Sequence, residues 1–110
     1  MKYRVREEGD IAIVVFEGDI DLEFSGDVRE ILLDNVSKAR RVLVDMSGVT
    51  LIDSSGVASL LEGFQTARKR GKEFSLVAVG DPVMRVLKLA RLDTVFETAE
   101  SIAAAMGDPA

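Results

Sequence analysis

The first seventeen residues show a pattern typical of a β-hairpin. Polar and apolar residues alternate over residues 2–7, which predicts a strand, and Glu8-Gly9-Asp10 has the composition of a turn. Residues 11–17 (IAIVVFE) form a nearly continuous apolar run, rich in β-branched side chains, as in a strand covered on both faces. Because so short a turn joins the two strands, they should pair antiparallel.

Two amphipathic segments predict the first two helices, with a strand between them. Residues 18–21 (GDID) should end the second strand, and Ser25 is the expected N-cap of the first helix. The third strand covers residues 41–46, and the second helix starts within the serine pair 54–55 and stops at Gly71. Apolar residues at helical spacing form the expected buried stripes: Val28, Ile31, Leu32, Val36 and Ala39, then Val57, Leu60, Leu61, Phe64 and Ala67.

The last third of the chain continues the alternation of strand and helix. Residues 73–79 predict a fourth strand, and Asp81-Pro82 has the form of an N-cap followed by a first-turn proline. A short fifth strand is predicted at 94–96 and a small terminal helix at 98–106, with a frayed end at 107–110. The residues expected to be buried in these two helices are Val83, Val86, Leu87 and Ala90, then Ile102, Ala103 and Met106.

This order of elements predicts an α/β fold in a single domain spanning residues 1–110. The sheet is mixed, with four or five strands, an N-terminal antiparallel hairpin and four helices. If the strands are added in sequence order, right-handed crossovers place their helices on one face of the sheet. We therefore expect the other face to be less well covered.

Composition narrows the classes of function. The chain has 110 residues, a net charge of −5 and 47% hydrophobic residues, an ordinary balance for a globular domain. The negative charge argues against direct nucleic-acid binding, which needs a basic face. There is no apolar run of about 20 residues to form a transmembrane segment and no signal-peptide pattern, so we expect a cytoplasmic protein.

The absence of cysteine and histidine excludes most common catalytic chemistry. Without them, thiolate nucleophiles, cysteine-ligated metals and a Ser-His-Asp triad are impossible. No GK[ST] phosphate-binding loop occurs either. We therefore expect a protein that is not an enzyme and that has no cofactor or metal of its own.

The segment Asp53-Ser54-Ser55-Gly56 is the main candidate site. It places two hydroxyls and a carboxylate at the start of a helix, where unpaired N–H groups suit a phosphate or a polar group of a partner. It also follows a strand of a parallel sheet, at the end where ligand sites gather. The alternative is an ordinary capping cluster, in which Asp or Ser satisfies the first N–H groups and Gly eases the turn.

Two other segments carry carboxylates that are candidates for a functional role. Asp45 and Ser47 faintly resemble a phosphatase loop, but that chemistry needs a second Asp where Ser47 stands, so Asp45 is expected to be structural. Asp19 and Asp21 should lie next to the Asp53 segment, because the second and third strands are neighbours. They are expected to form an acidic rim for recognition.

In order and spacing, four segments resemble bacterial STAS domains, above all the anti-anti-sigma factors. They are GDID after the second strand, VLVDMSGV, IDSSG at the helix start, and GKEFSLV followed by DPVMRVLKLARLDTVF. The resemblance spans about residues 3–104, and DSSG is its most specific part. It implies a STAS-like fold without a cofactor.

The resemblance also implies a function and its residues. In that group an anti-sigma factor that is a serine kinase, a histidine-kinase-like ATPase, phosphorylates the second serine of the motif, here Ser55. The unphosphorylated antagonist binds this partner and releases a sigma factor. The partner surface would comprise Asp21, Asp53, Ser54, Ser55 and Gly56, on a monomer or weak dimer. The alternative is an accessory subunit of a transporter, such as an ABC-type lipid transporter, or of a stress-signalling complex.

Overall fold

A five-stranded sheet forms the centre of the protein, in a computed structural model that describes residues 1–107. The predicted frayed end lies, for residues 108–110, outside this described part. Between residues 1 and 107, no helix is long and apolar enough to cross a membrane. In chain order the elements are β1 (Lys2–Glu8), β2 (Ile11–Ile20), α1 (Leu22–Lys38), β3 (Arg41–Ile52), α2 (Ser54–Lys69), β4 (Glu73–Val77), α3 (Asp81–Leu89), β5 (Glu97–Ala99) and α4 (Ile102–Ala105).

The strands lie in the sheet in the same order as in the chain. β1 and β2 form the predicted antiparallel hairpin, whose turn contains Gly9 at a φ of +63°. The pairs β2–β3, β3–β4 and β4–β5 are all parallel. This confirms the predicted mixed sheet and its sequential strand order.

The two faces of the sheet carry cores of different size. Alternate residues of β2 and β3 pack against α1, α2 and α3 in a large cluster that includes Val14, Phe16, Val44, Leu32 and Leu60. On the other face a small cluster of Ile13, Val15, Leu43 and Val77 is covered by the four-residue helix α4. The three crossover helices thus share one face, as predicted, and the opposite face has only a short cover.

Strands β2 and β3 extend further than predicted. Residues 18–20 continue β2, and residues 47–52 continue β3, although both segments were expected to be loops. Two register irregularities, between Val15 and Glu17 and between Gly18 and Asp19, let the strands stay paired as far as Ile20 and Ile52. The bulges accommodate glycine and polar residues that would otherwise interrupt a regular strand.

The predicted start of α1 is wrong, and that of α3 is displaced by one residue. Asp21, not Ser25, is the N-cap of α1, while the Ser25 hydroxyl bonds back to the Leu22 carbonyl within the first turn. Gly80 caps α3 and Asp81 is its first helical residue. The end of α2 is as predicted, since Gly71 follows the cap with a φ of +69°.

The C-terminal elements are shorter and shifted relative to the prediction. β5 begins at Glu97, because Phe96 turns into the core, where its ring lies 5.5 Å from that of Phe64. The terminal helix covers only residues 102–105. Two small residues predicted to be buried, Ala90 and Ala103, are exposed because one follows the end of α3 and the other faces away from the sheet.

Candidate functional site

The ends of β2 and β3 bring the two predicted acidic segments together. Ile20 and Ile52 are register partners at the ends of their strands, and the residue after each, Asp21 or Asp53, caps the helix that follows. The backbone N–H of Asp53 also donates to the Ile20 carbonyl, at 3.2 Å. The starts of α1 and α2 are therefore neighbours, as the sequence predicted for these loops.

The carboxylate of Asp53 is the centre of the site. Its Oδ1 accepts hydrogen bonds from the Ser55 hydroxyl at 2.5 Å and from the Gly56 N–H at 3.0 Å. Its Oδ2 accepts from the N–H of Leu22, the first residue of α1, at 3.1 Å. One side chain thus satisfies donors at the starts of two helices, which otherwise lack partners within their helices.

These hydrogen bonds also favour the charged form of Asp53. The Ser55 hydroxyl contributes most to holding the pKa of Asp53 below its ordinary value, followed by the Gly56 N–H, with the Leu22 N–H adding to them. Each bond favours the ionised form of the carboxyl group. Asp53 is therefore a carboxylate at neutral pH.

The two serines of the motif differ in their surroundings. Ser54 is exposed, whereas Ser55 is half-buried and its hydroxyl is held by Asp53. Within the described residues, no side-chain hydrogen bond is made by Ser54. The structure therefore gives Ser55 an oriented hydroxyl and leaves Ser54 free to rotate.

Gly56 is required by close packing rather than by a turn. A Cβ added to Gly56 would lie 2.7 Å from both the Ile20 carbonyl oxygen and Cγ1 of Ile52. Gly56 is buried, so it supports the site from beneath. We assign it a packing role within the predicted surface, whose accessible members are Asp21, Asp53, Ser54 and Ser55.

Ser59 is a supporting residue that the sequence analysis missed. Its buried hydroxyl lies 2.8 Å from the Ser25 carbonyl and 3.1 Å from the Ser55 carbonyl, so it joins α2 to the first turn of α1. The only sequence signal is a serine four residues after Ser55, on the same side of the helix. That signal does not identify the distant partner, Ser25.

The surface around the site is acidic and carries exposed leucines. Asp19 lies close by, accepting a 2.6 Å hydrogen bond from Thr50, and Glu23 is in the first turn of α1. No lysine or arginine occurs in residues 17–28 or 42–67. The side chains of Leu22 and Leu51 are 77% and 61% exposed. This combination suits contact with another macromolecule.

Asp45 makes a local hydrogen bond, and a cleft lies away from the motif residues. Oδ1 of Asp45 accepts the Ser47 N–H at 2.9 Å, the local bond of a structural carboxylate. Across residues 1–107 no group of three acidic side chains is placed to hold a metal ion. A cleft of about 450 Å³ lies at the other end of α2, lined in part by Phe64, Arg68 and Val95, and it includes none of the motif residues.

Comparison with known proteins agrees with this architecture. A family model described as "Mlab, STAS domain" matches residues 3–98. The structure of a proposed anti-sigma factor antagonist from Thermotoga maritima superposes with a TM-score of 0.88 at 22% identity, covering 96% of this chain and 92% of that one.

Two further solved structures share the fold. The anti-sigma factor antagonist SpoIIAA of Bacillus, in its unphosphorylated form, gives a TM-score of 0.80 at 14% identity, covering 99% of this chain and 100% of that one. A sulfate transporter family protein from Wolinella succinogenes gives 0.79 at 18% identity, covering 91% and 84%. With a family model matched over most of its length, and with this fold, the chain belongs to the STAS domain family.

Proposed function

We propose that this protein is an anti-sigma factor antagonist, switched by phosphorylation of Ser55. Its partner is an anti-sigma factor that is also a serine kinase of the histidine-kinase-like ATPase type. The observation that carries the proposal is the oriented Ser55 hydroxyl, held 2.5 Å from the Asp53 carboxylate at the accessible start of α2. The similarity to anti-sigma factor antagonists supports the same role.

In this proposal the chain supplies the phosphate acceptor and the kinase supplies the rest. Oγ of Ser55 attacks the γ-phosphorus of ATP, the bond from that phosphorus to the bridging oxygen breaks, and ADP leaves. The hydroxyl proton passes to a base in the kinase, because the carboxylate that Ser55 contacts, Asp53, has a lowered pKa and is therefore a weak base. Mg²⁺ on the nucleotide also comes from the kinase.

Phosphorylation would weaken binding through the charge and bulk of the phosphate. The phosphate adds about −1.5 to −2 charges, at a surface that already includes Asp21 and Asp53. Two like unit charges about 6 Å apart repel by roughly 3 kcal/mol at an effective dielectric near 20. Against an acidic group of the partner at this distance, the repulsion corresponds to about a 10²-fold loss of affinity.

The acceptor assignment is tested by labelling with the partner kinase and radioactive ATP. Ser55→Ala should abolish labelling, because the oriented hydroxyl is removed. The matched variant Ser54→Ala should keep most of it, since the Ser54 hydroxyl makes no bond to Asp53. Equal labelling of Ser55→Ala and the unsubstituted protein would refute the assignment.

The partner surface is tested at Asp21, where charge and capping can be separated. Asp21→Asn keeps a good N-cap and should change stability by less than about 0.5 kcal/mol, whereas Asp21→Ala should cost about 1 kcal/mol. Both variants lose the charge, so both should bind the kinase about tenfold more weakly, the equivalent of about 1.4 kcal/mol. Calorimetry and urea unfolding measure the two effects. Normal binding by Asp21→Asn would exclude its charge from the interface.

A second candidate is an accessory subunit of a transporter. The fold shared with a sulfate transporter family protein favours it, because the same domain occurs in that setting. Affinity capture from the native cell distinguishes the two proposals: the first predicts a bound histidine-kinase-like ATPase, the second a transporter subunit. Neither candidate requires catalysis by this chain.

A further inference from the structure

We infer that Asp53 couples modification of Ser55 to the start of α1, so that Leu22 and Asp21 belong to the same switch as the serine. The inference deepens the proposed function and rests on it, because it takes Ser55 as the modified residue. It concerns how far the effect of a phosphate extends across the surface. The connecting element is one carboxylate shared by two helix starts.

Among the described residues, the Leu22 N–H has Asp53 as its one hydrogen-bond acceptor. Oδ1 of Asp53 holds the Ser55 hydroxyl at 2.5 Å and the Gly56 N–H at 3.0 Å, while Oδ2 of the same group holds the Leu22 N–H at 3.1 Å. As the first residue of α1, Leu22 has no partner for its N–H within the helix. Movement of the carboxylate therefore releases a donor on the neighbouring helix.

A phosphate on Ser55 acts on this carboxylate in two ways. It removes the hydroxyl proton that Ser55 donates to Oδ1, and it places a dianion beside a carboxylate, which like charge disfavours. It also competes for the Gly56 N–H, since phosphates readily take N–H groups at helix starts. Asp53 should then turn away, and its bond to Leu22 should be lost.

The consequence reaches the surface that a partner would meet. The Leu22 side chain is 77% exposed and directly follows Asp21. Loss of the Asp53 contact would loosen the chain at Asp21 and Leu22. Ser59 would still hold the Ser25 carbonyl, and the rest of the helix stays held by Val28, Leu32 and Val36 in the core. Phosphorylation would thus change two segments of the surface at once.

Amide hydrogen exchange tests the inference without any partner. Phosphoserine is incorporated at position 55 during protein synthesis, and exchange is followed by NMR at Leu22 and at Ala104. The Ala104 N–H is a matched internal reference, because it too is held by one side-chain cap, Ser101 at 3.0 Å, away from Asp53. We expect Leu22 to exchange about tenfold faster in the phosphorylated chain, the effect of losing a hydrogen bond to a charged group, with Ala104 unchanged.

The variant Asp53→Asn separates loss of the Leu22 bond from general disturbance. Asn has one acceptor oxygen, so it keeps a cap for the Gly56 N–H, but its NH2 group cannot accept from the Leu22 N–H. In the Asp53→Asn background, Leu22 should therefore already exchange fast, and phosphorylation should leave its exchange unchanged. Unaltered exchange at Leu22 in the phosphorylated unsubstituted chain, or equal acceleration in the Asp53→Asn chain, would overturn the inference. Since no kinase is used, failure of the coupling is distinguishable from failure of Ser55 to be a kinase substrate.

Discussion

Gly56 and Asp53 show how single residues constrain this site in different ways. Gly56 lets the start of α2 lie directly against the Ile20 carbonyl, and Asp53 supplies the hydrogen bonds that the two helix starts lack. The first effect is steric and the second electrostatic. They can therefore be tested separately, by changes in side-chain size and in charge.

Gly56→Ala should destabilise the fold. The added methyl group would lie 2.7 Å from the Ile20 carbonyl oxygen and cannot be accommodated without shifting backbone, so we expect a loss of about 1–3 kcal/mol. Gly26 is the matched control, because it lies in α1 with nothing within 4 Å of an added Cβ. Gly26→Ala should stabilise by about 0.4–1 kcal/mol. Urea unfolding measures both, and equal effects would contradict the packing role.

The pKa of Asp53 should depend on Ser55. Because the Ser55 hydroxyl is the largest cause of the lowered pKa, Ser55→Ala should raise the Asp53 pKa toward its ordinary value, as followed by carbon NMR of the carboxyl group.

The lowered pKa of Asp53 also makes stability depend on pH. Ionised Asp53 stabilises the fold above the unfolded-state pKa of about 3.9, and this stabilisation is lost as the pH falls through the folded-state pKa. The stability difference between the unsubstituted protein and Asp53→Asn should therefore shrink below about pH 4. A constant difference down to pH 2 would argue against it.

At the scale of elements, α3 is joined to the sheet through one narrow face. Leu87 is fully buried, whereas Leu89, two residues further on, is 80% exposed. Leu87→Ala should cost about 2–5 kcal/mol, because it leaves a cavity in the main core. Leu89→Ala, the same substitution in the same helix, should change stability by no more than about 0.5 kcal/mol. Similar losses in thermal or urea unfolding would show that α3 packs differently.

Periodicity predicted the elements better than their ends. The hairpin, the parallel strands and the stop at Gly71 follow from local patterns. The N-cap of α1 does not follow from a local pattern. It is Asp21, because the bulged strand β2 ends just before this residue, and not the nearest serine. β5 begins later in the chain than predicted, because Phe96 is buried in the core instead of lying in the strand.

The candidate site could be predicted only where its residues are close together in the sequence. Asp53, Ser54 and Ser55 are adjacent in sequence, so their clustering could be recognised locally. The bond from Leu22 to Asp53 spans 31 residues and depends on the register of β2 against β3. Ser59 similarly meets Ser25 across 34 residues. Such contacts follow from the fold, which no local pattern specifies in detail.

At the scale of the whole molecule, charge is distributed unevenly along α2. The 16-residue helix begins beside Asp53 and ends with Arg68 and Lys69, followed by Arg70, which separates the two groups by about 24 Å at 1.5 Å per residue. Both groups complement the helix dipole. A protein of net charge −5 with this arrangement should be oriented by an approaching charged partner before contact.

The sequential strand order also bears on how the protein forms during translation. No strand has to be inserted between two that already pair, because each new strand is added at the open edge of the sheet. As the nascent chain leaves the ribosome, the β1–β2 hairpin can form first, and α1 with β3 can then be added. The Asp53 carboxylate emerges just after β3, when the Leu22 amide that it binds is already in place.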